Sequence, residues 1–168
     1  MIKRVLVVCA GNVCRSPMAE ALLAWHLESV MVESAGMTAL IGHGADPVAV
    51  SLMGERGLDI RSHRARQLVT WMPATADLVL VMDRLQRQQL EHRFASLHGR
   101  VYRLGDVPAS PRHSDAGFDI PDPHRKGRAA FEESLRLIEA GVEGWAARIA
   151  ELSGGRVASV PVVGESST

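Results

Sequence analysis

Residues Cys9-Ala10-Gly11-Asn12-Val13-Cys14-Arg15-Ser16 combine a thiol, a short loop containing glycine, a guanidinium and a hydroxyl. Several backbone N–H groups in a tight loop that enters a helix can converge on an anion, and the helix dipole adds positive potential. The same field favours a thiolate at its centre. A guanidinium binds two phosphoryl oxygens at once, which an ammonium cannot do. Cleaving a phosphate monoester is very slow without catalysis, so a strong nucleophile and oriented positive groups both matter. The chemistry expected of this loop is attack of Cys9 on phosphorus, giving a phosphocysteine intermediate. Cys14 is the weaker attacker: six positions after Cys9 stands Arg15, whereas six positions after Cys14 stands Glu20, of the wrong charge. Cys14 offers instead a second thiol for a reversible disulfide that would shield Cys9 from over-oxidation. Ser16 fits a helix cap and also a hydrogen-bond donor to the thiolate.

Loss of an alkoxide or phenolate needs a general acid. The stretch from Gly105 to Gly127 supplies Asp106, Asp115, Asp119 and Asp122. Asp122 lies between Pro121 and Pro123, which restrict its backbone, and His124, Arg125 and Lys126 follow. Composition alone favours Asp122 without excluding an ordinary Asp-Pro turn, of which Asp46-Pro47 is another example. Two cysteines in Cys-x4-Cys spacing lack a second ligand pair for zinc, so no metal is expected. Nucleotide binding is also disfavoured. No Walker-type lysine is present, and Gly42-His43-Gly44 lacks the third glycine of a dinucleotide fingerprint.

The elements that must position these residues follow from hydrophobic patterning. Val5 to Val8 predicts a strand buried on both faces, ending at the loop. Ser16-Pro17 predicts a helix start, with Met18, Ala21, Leu22 and Trp25 as the inward face. Further strands are expected over Val30 to Ser34, Ala76 to Met82 and Arg100 to Leu104. Helices are expected from Pro47 to Arg56, after Asp83 through Leu85, Leu90 and Phe94, and from Arg128 to Leu152. The last carries a stripe of Phe131, Leu135, Ile138, Val142, Trp145 and Ile149. Gly141 and Gly144 should weaken it by roughly 1 kcal/mol each relative to alanine. Alternating strands and helices argue for a parallel α/β sheet, and ligands of such sheets sit beyond the carboxyl ends of the strands. With 168 residues the chain suits one domain, over 1–152, with 153–168 expected as a flexible tail. Nineteen basic and nineteen acidic residues leave no global field for nucleic acid. The first apolar run is too short for a signal peptide or a membrane span, so a cytoplasmic protein without membrane insertion is expected.

The Cys9–Ser16 loop, Pro17-Met18-Ala19-Glu20, Glu33-Ser34-Ala35-Gly36 and Asp122-Pro123 together resemble the low-molecular-weight protein tyrosine phosphatases, from about Lys3 to Ile149. The resemblance implies a single-domain, three-layer α/β fold with a central four-stranded parallel sheet and the phosphate loop after the first strand. It implies Cys9 as nucleophile, Arg15 as the phosphate-binding arginine and Asp122 as general acid, with no cofactor. Asn12, Ser16, Ser34, His63 and Asp83 match positions that brace the loop; from local composition alone, His63 reads as a surface residue and Asp83 as a plain helix cap. Ala35-Gly36-Met37-Thr38-Ala39-Leu40, Gly44-Ala45-Asp46-Pro47 and Ala65-Arg66-Gln67 resemble the bacterial branch associated with exopolysaccharide machinery. That likeness implies tyrosine-phosphorylated partners, in particular a membrane tyrosine autokinase. Leu40 and His124 stand where aromatic residues are usual at the rim of the cleft, which thins the stacking surface for a phosphotyrosine ring.

Three rival readings are weaker. Arsenate reductases with a similar loop need more cysteines than the two present. Protein arginine phosphatases carry a threonine where this chain has Val13. A catalytically silent phospho-motif binder would not need both Cys9 and Asp122.

Overall fold

In the computed structural model, residues 1–106 and 117–154 are described. Four strands, β1 (Arg4–Cys9), β2 (Met31–Gly36), β3 (Leu78–Val81) and β4 (Val101–Arg103), form one sheet in the order β2-β1-β3-β4. All three pairings are parallel, and β1 lies inside, with Cys9 opposite Gly36 at its end. The alternation of side chains in a strand sorts the core into two layers. Val5, Val7, Leu78 and Leu80 face α1 (Arg15–His26), α2 (Pro47–Glu55) and α5 (Arg128–Ser153). Leu6, Val8, Val79 and Val81 face α3 (Trp71–Thr75), α4 (Arg84–Arg93) and a 3₁₀ turn over Ala95–Leu97. Both faces are therefore covered, as the continuous apolar runs require. The expected three-layer α/β architecture is the one observed.

Several boundaries differ from expectation for physical reasons. Helix α1 starts at Arg15, with Cys14 as its N-cap, so Ser16 is the second helical residue and Pro17 the third. Proline is tolerated there because the first-turn N–H groups have no partner within the helix. The inward face is Met18, Ala19, Leu23 and His26; Ala21, Leu22 and Trp25 are only partly buried. The helical period holds, but the buried face is turned by about one residue from the most apolar one: Ala19 and His26 are buried where Leu22 and Trp25 are more apolar. Strand β2 runs on through Ala35-Gly36. Helix α3, which holds Pro73, had no clear signal.

Gly141 does not merely weaken α5. A Cβ on it would sit 2.6 Å from the Leu104 carbonyl oxygen, so glycine allows α5 to touch the end of β4. One turn later Trp145 donates its indole N–H to the same oxygen at 3.0 Å. The tail expected from residue 153 falls mostly outside the described residues. Ser153 itself closes α5, with its hydroxyl donating to the Ile2 carbonyl at 3.1 Å.

Candidate active site

The phosphate-type loop is shaped by what its carbonyls do. Cys9, Ala10 and Gly11 accept from the N–H groups of Met37, Thr38 and Leu40 at 2.9, 3.0 and 3.0 Å, and Val13 accepts from Asp46 at 2.8 Å. The Asn12 carbonyl lies 2.7 Å from His63 Nε2, which donates when that nitrogen carries the proton. Five successive carbonyls are thus drawn outward. In each peptide unit the N–H points opposite to the C=O, so the loop's N–H groups turn toward its interior. That is a concave nest for an anion. Gly36 makes the close approach possible: a Cβ there would meet the Ala10 carbonyl at 2.6 Å.

Asn12 is the internal strut. It is buried with φ 57°, a left-handed conformation that asparagine tolerates better than most residues. Its Nδ2 donates to Ser16 Oγ at 2.8 Å and to Ser34 Oγ at 3.0 Å, and its Oδ1 accepts from the Arg66 N–H at 2.9 Å. Ser16 Oγ lies 2.8 Å from Cys9 Sγ. Because that oxygen already accepts from Asn12, its own proton is available to the sulfur. Ser34 Oγ donates a hydrogen bond to Glu20 Oε2 at 2.7 Å. Burial raises the Glu20 carboxyl above its ordinary range against the opposing bond from Ser34.

Arg15 is buried, its side chain 4% exposed, and is held from three sides. Its Nη1 donates to the Ile120 carbonyl at 2.8 Å and to Asp83 Oδ2 at 3.4 Å, while Nη2 lies 4.0 Å from Asp122 Oδ2. Asp83 also caps α4 through Oδ1, which accepts from Gln86 at 2.8 Å. The cap and the brace, alternatives at the level of sequence, are both present on different oxygens. Ile120 returns the link to the sheet by donating to Met82 at 2.8 Å.

One open cavity is lined by Cys9, Ala10, Gly11, Val13, Cys14 and Arg15, with Thr38, Leu40, Asp122 and His124 around it. Among the candidate acids, Asp106 and Asp119 are instead bound to Arg103, at 2.6 and 2.8 Å. Asp115 lies outside the described residues. Asp122 is half-exposed, with Oδ1 accepting from the His124 N–H at 3.1 Å. Cys14 is pushed up to about 12, chiefly by burial and then by the charges of Asp46, Cys9 and Asp122, and so stays a neutral thiol near neutrality. Asp46, Cys14 and His124 bring a carboxylate, a sulfur and an imidazole together, a cluster with no signature in the chain order. Glu20, Arg66, Thr38 and the Ile120 carbonyl are also parts of the site that local sequence did not single out. Glu20 and Arg66 lay within motifs already noted, but their partners come from other strands and loops.

Comparison with known proteins places this geometry. The family model described as low molecular weight phosphotyrosine protein phosphatase matches residues 4–153. A probable low molecular weight protein-tyrosine-phosphatase of Ralstonia nicotianae, EpsP, is 49% identical over 152 residues, covering 90% of this chain and 99% of its own. The low molecular weight protein-tyrosine-phosphatase Wzb of Escherichia coli is 39% identical over 146 residues, covering 87% and 95%. Among solved structures, an Escherichia coli Wzb in complex with sulphate superposes with TM-score 0.80 at 32% identity, covering 89% of this chain and 99% of that one. The YwlE arginine phosphatase from Geobacillus stearothermophilus gives 0.81 at 29%, covering 90% and 95%.

Proposed function

We propose, from the premise that the chain belongs to the low molecular weight phosphotyrosine protein phosphatase family, that it hydrolyses phosphotyrosine in proteins through a phosphocysteine intermediate. The observation that carries this reading is the outward pull on all five carbonyls from Cys9 to Val13, with the buried Cys9 Sγ hydrogen-bonded to Ser16 Oγ in the same loop. A phosphoryl dianion seated there meets the loop N–H groups and the free side of the Arg15 guanidinium. Cys9 attacks phosphorus, and the P–O bond to tyrosine breaks as Asp122 gives its proton to the phenolic oxygen. A water then attacks the phosphocysteine, with Asp122 taking its proton, and phosphate leaves with the thiolate restored. Ser16 supports the sulfur's charge at both stages.

The substrate we propose is a tyrosine autokinase that governs exopolysaccharide export, met at the cytoplasmic side of the membrane. The identity to EpsP and Wzb supports this. Among the described residues no helix is long and apolar enough to cross a membrane. Arginine phosphatase activity is the second reading, since YwlE shares the fold. Val13 lines the cavity with methyl groups and offers no hydroxyl to a guanidinium-linked phosphate, which favours tyrosine. Turnover of phosphotyrosyl and phosphoarginyl peptides of the same sequence tests the choice. Faster release from tyrosine is expected; preference for arginine would refute it. Cys9→Ser should abolish turnover while leaving phosphate binding largely intact, and full activity in that variant would refute the mechanism.

A further inference from the structure

Cys14 and His124, which line the cavity, converge with Asp46 from the start of α1, the segment after Asp122 and the start of α2. One donor atom from each lies within 4.8 Å of the others, and Cys14 Sγ stands 3.7 Å from His124 Nδ1. A tetrahedral zinc ion with Zn–S of about 2.3 Å and Zn–N of about 2.1 Å holds its sulfur and nitrogen ligands about 3.6 Å apart. The pair is thus already at the separation a bound ion requires. Asp46 is fixed by its own role: Oδ1 accepts from Val48 at 2.9 Å as the cap of α2, which holds the carboxylate in place. A mixed sulfur, nitrogen and oxygen donor set selects zinc over magnesium or calcium.

We propose that Cys14, Asp46 and His124 form a zinc site that restrains turnover, with its fourth position open to the phosphate cavity. Ligation replaces the Cys14 S–H bond by a Zn–S bond; the proton leaves to solvent and nothing is oxidised or reduced. The ion would act on catalysis in two ways. Its open position faces the space an incoming phosphoryl group must enter, because Cys14 and His124 both line that space. Tying down the His124 ring also ties down the backbone N–H that holds Asp122 Oδ1. The expectation of no metal, drawn from Cys-x4-Cys spacing, does not bear on this cluster, whose imidazole lies 110 residues beyond Cys14.

Cobalt(II) titration of the full chain reads the site directly, because thiolate ligation gives a charge-transfer absorption band. One equivalent should bind with that band. The band should vanish in Cys14→Ser and persist in Cys9→Ser. Asp46→Asn keeps the α2 cap, since asparagine caps as well as aspartate, and should weaken cobalt and zinc binding by at least about tenfold. His124→Phe should do the same. Zinc inhibition of p-nitrophenyl phosphate turnover should shift to higher concentration by a similar factor in Asp46→Asn. No band in the wild type, a band lost with Cys9 instead of Cys14, or unchanged affinity in Asp46→Asn would overturn the proposal. The cobalt readout does not involve turnover, so its failure is distinguishable from failure of the phosphatase reading.

Discussion

Asp83 carries two functions on two oxygens, and a pair of substitutions should separate them. Oδ1 caps α4 at 2.8 Å from the Gln86 N–H, and Oδ2 faces Arg15 Nη1 at 3.4 Å. Asp83→Asn keeps an oxygen for the cap and removes the charge. Asp83→Ala removes both. Losing a cap costs about 1 kcal/mol. A hydrogen bond to a charged group is worth about 1.5–3 kcal/mol. Here the bond is long and Asp83 is 27% exposed, so solvent screening brings this to about 1–2 kcal/mol. Arg15 keeps the Ile120 carbonyl in both variants. Both should therefore lose catalytic efficiency by a similar factor, about five- to thirtyfold, because both leave the phosphate-facing guanidinium less firmly aimed. Only the alanine variant should show the further loss of about 1 kcal/mol in stability. Urea unfolding and kcat/KM on p-nitrophenyl phosphate, measured on the same preparations, give both numbers. Equal stability of the two variants would refute the capping role, and wild-type kcat/KM in both would refute the bracing role.

Three more outcomes are expected. Asp122→Asn should slow release of poor leaving groups such as phenolate by about a hundredfold and of p-nitrophenolate much less; equal losses would count against Asp122 as the proton donor. Gly141→Ala should destabilise by about 1–3 kcal/mol in urea unfolding despite the better helix former, because the new Cβ meets backbone oxygen at 2.6 Å; a more stable variant would refute the packing argument. Glu20 is raised above 4.5 in the folded state by burial, so the folded protein holds that proton more tightly than the unfolded chain. Its contribution is most favourable below 4.5 and is lost as pH rises through the folded value. Glu20→Gln should therefore gain stability relative to wild type across that interval, and a pH-independent difference in unfolding midpoints would contradict it.

What was legible in the sequence was local. The strand Val5 to Val8, the loop that follows it and the apolar stripe of α5 each announce themselves within one window, because burial imposes a period on neighbouring residues. The buried face of α1 departs from its apolar pattern because its first turn is buried by the site itself, where Arg15 and Ser16 point inward for polar reasons. His63 sits among arginines and looks superficial in the chain, yet its ring reaches the Asn12 carbonyl 51 residues away. Asp46 reads locally as a turn residue, and its proximity to Cys14 and His124 joins segments far apart in the chain. Such contacts leave no periodic trace, and only family likeness or coordinates reveal them.

The props under the phosphate loop have a consequence for how this enzyme can change. Met37, Thr38, Leu40 and Asp46 hold up the loop through their main-chain N–H groups, not their side chains. At Met37, Thr38 and Leu40 this support is indifferent to side-chain identity, and proline, which lacks the N–H, is the residue that removes it outright, whereas Asp46 is tied as well through its carboxylate cap on α2. Substrate preference can therefore drift along this segment by single substitutions while the catalytic geometry stays intact. Leu40 shows the division of labour within one residue: its side chain lines the cavity while its N–H, at 3.0 Å from the Gly11 carbonyl, carries the loop.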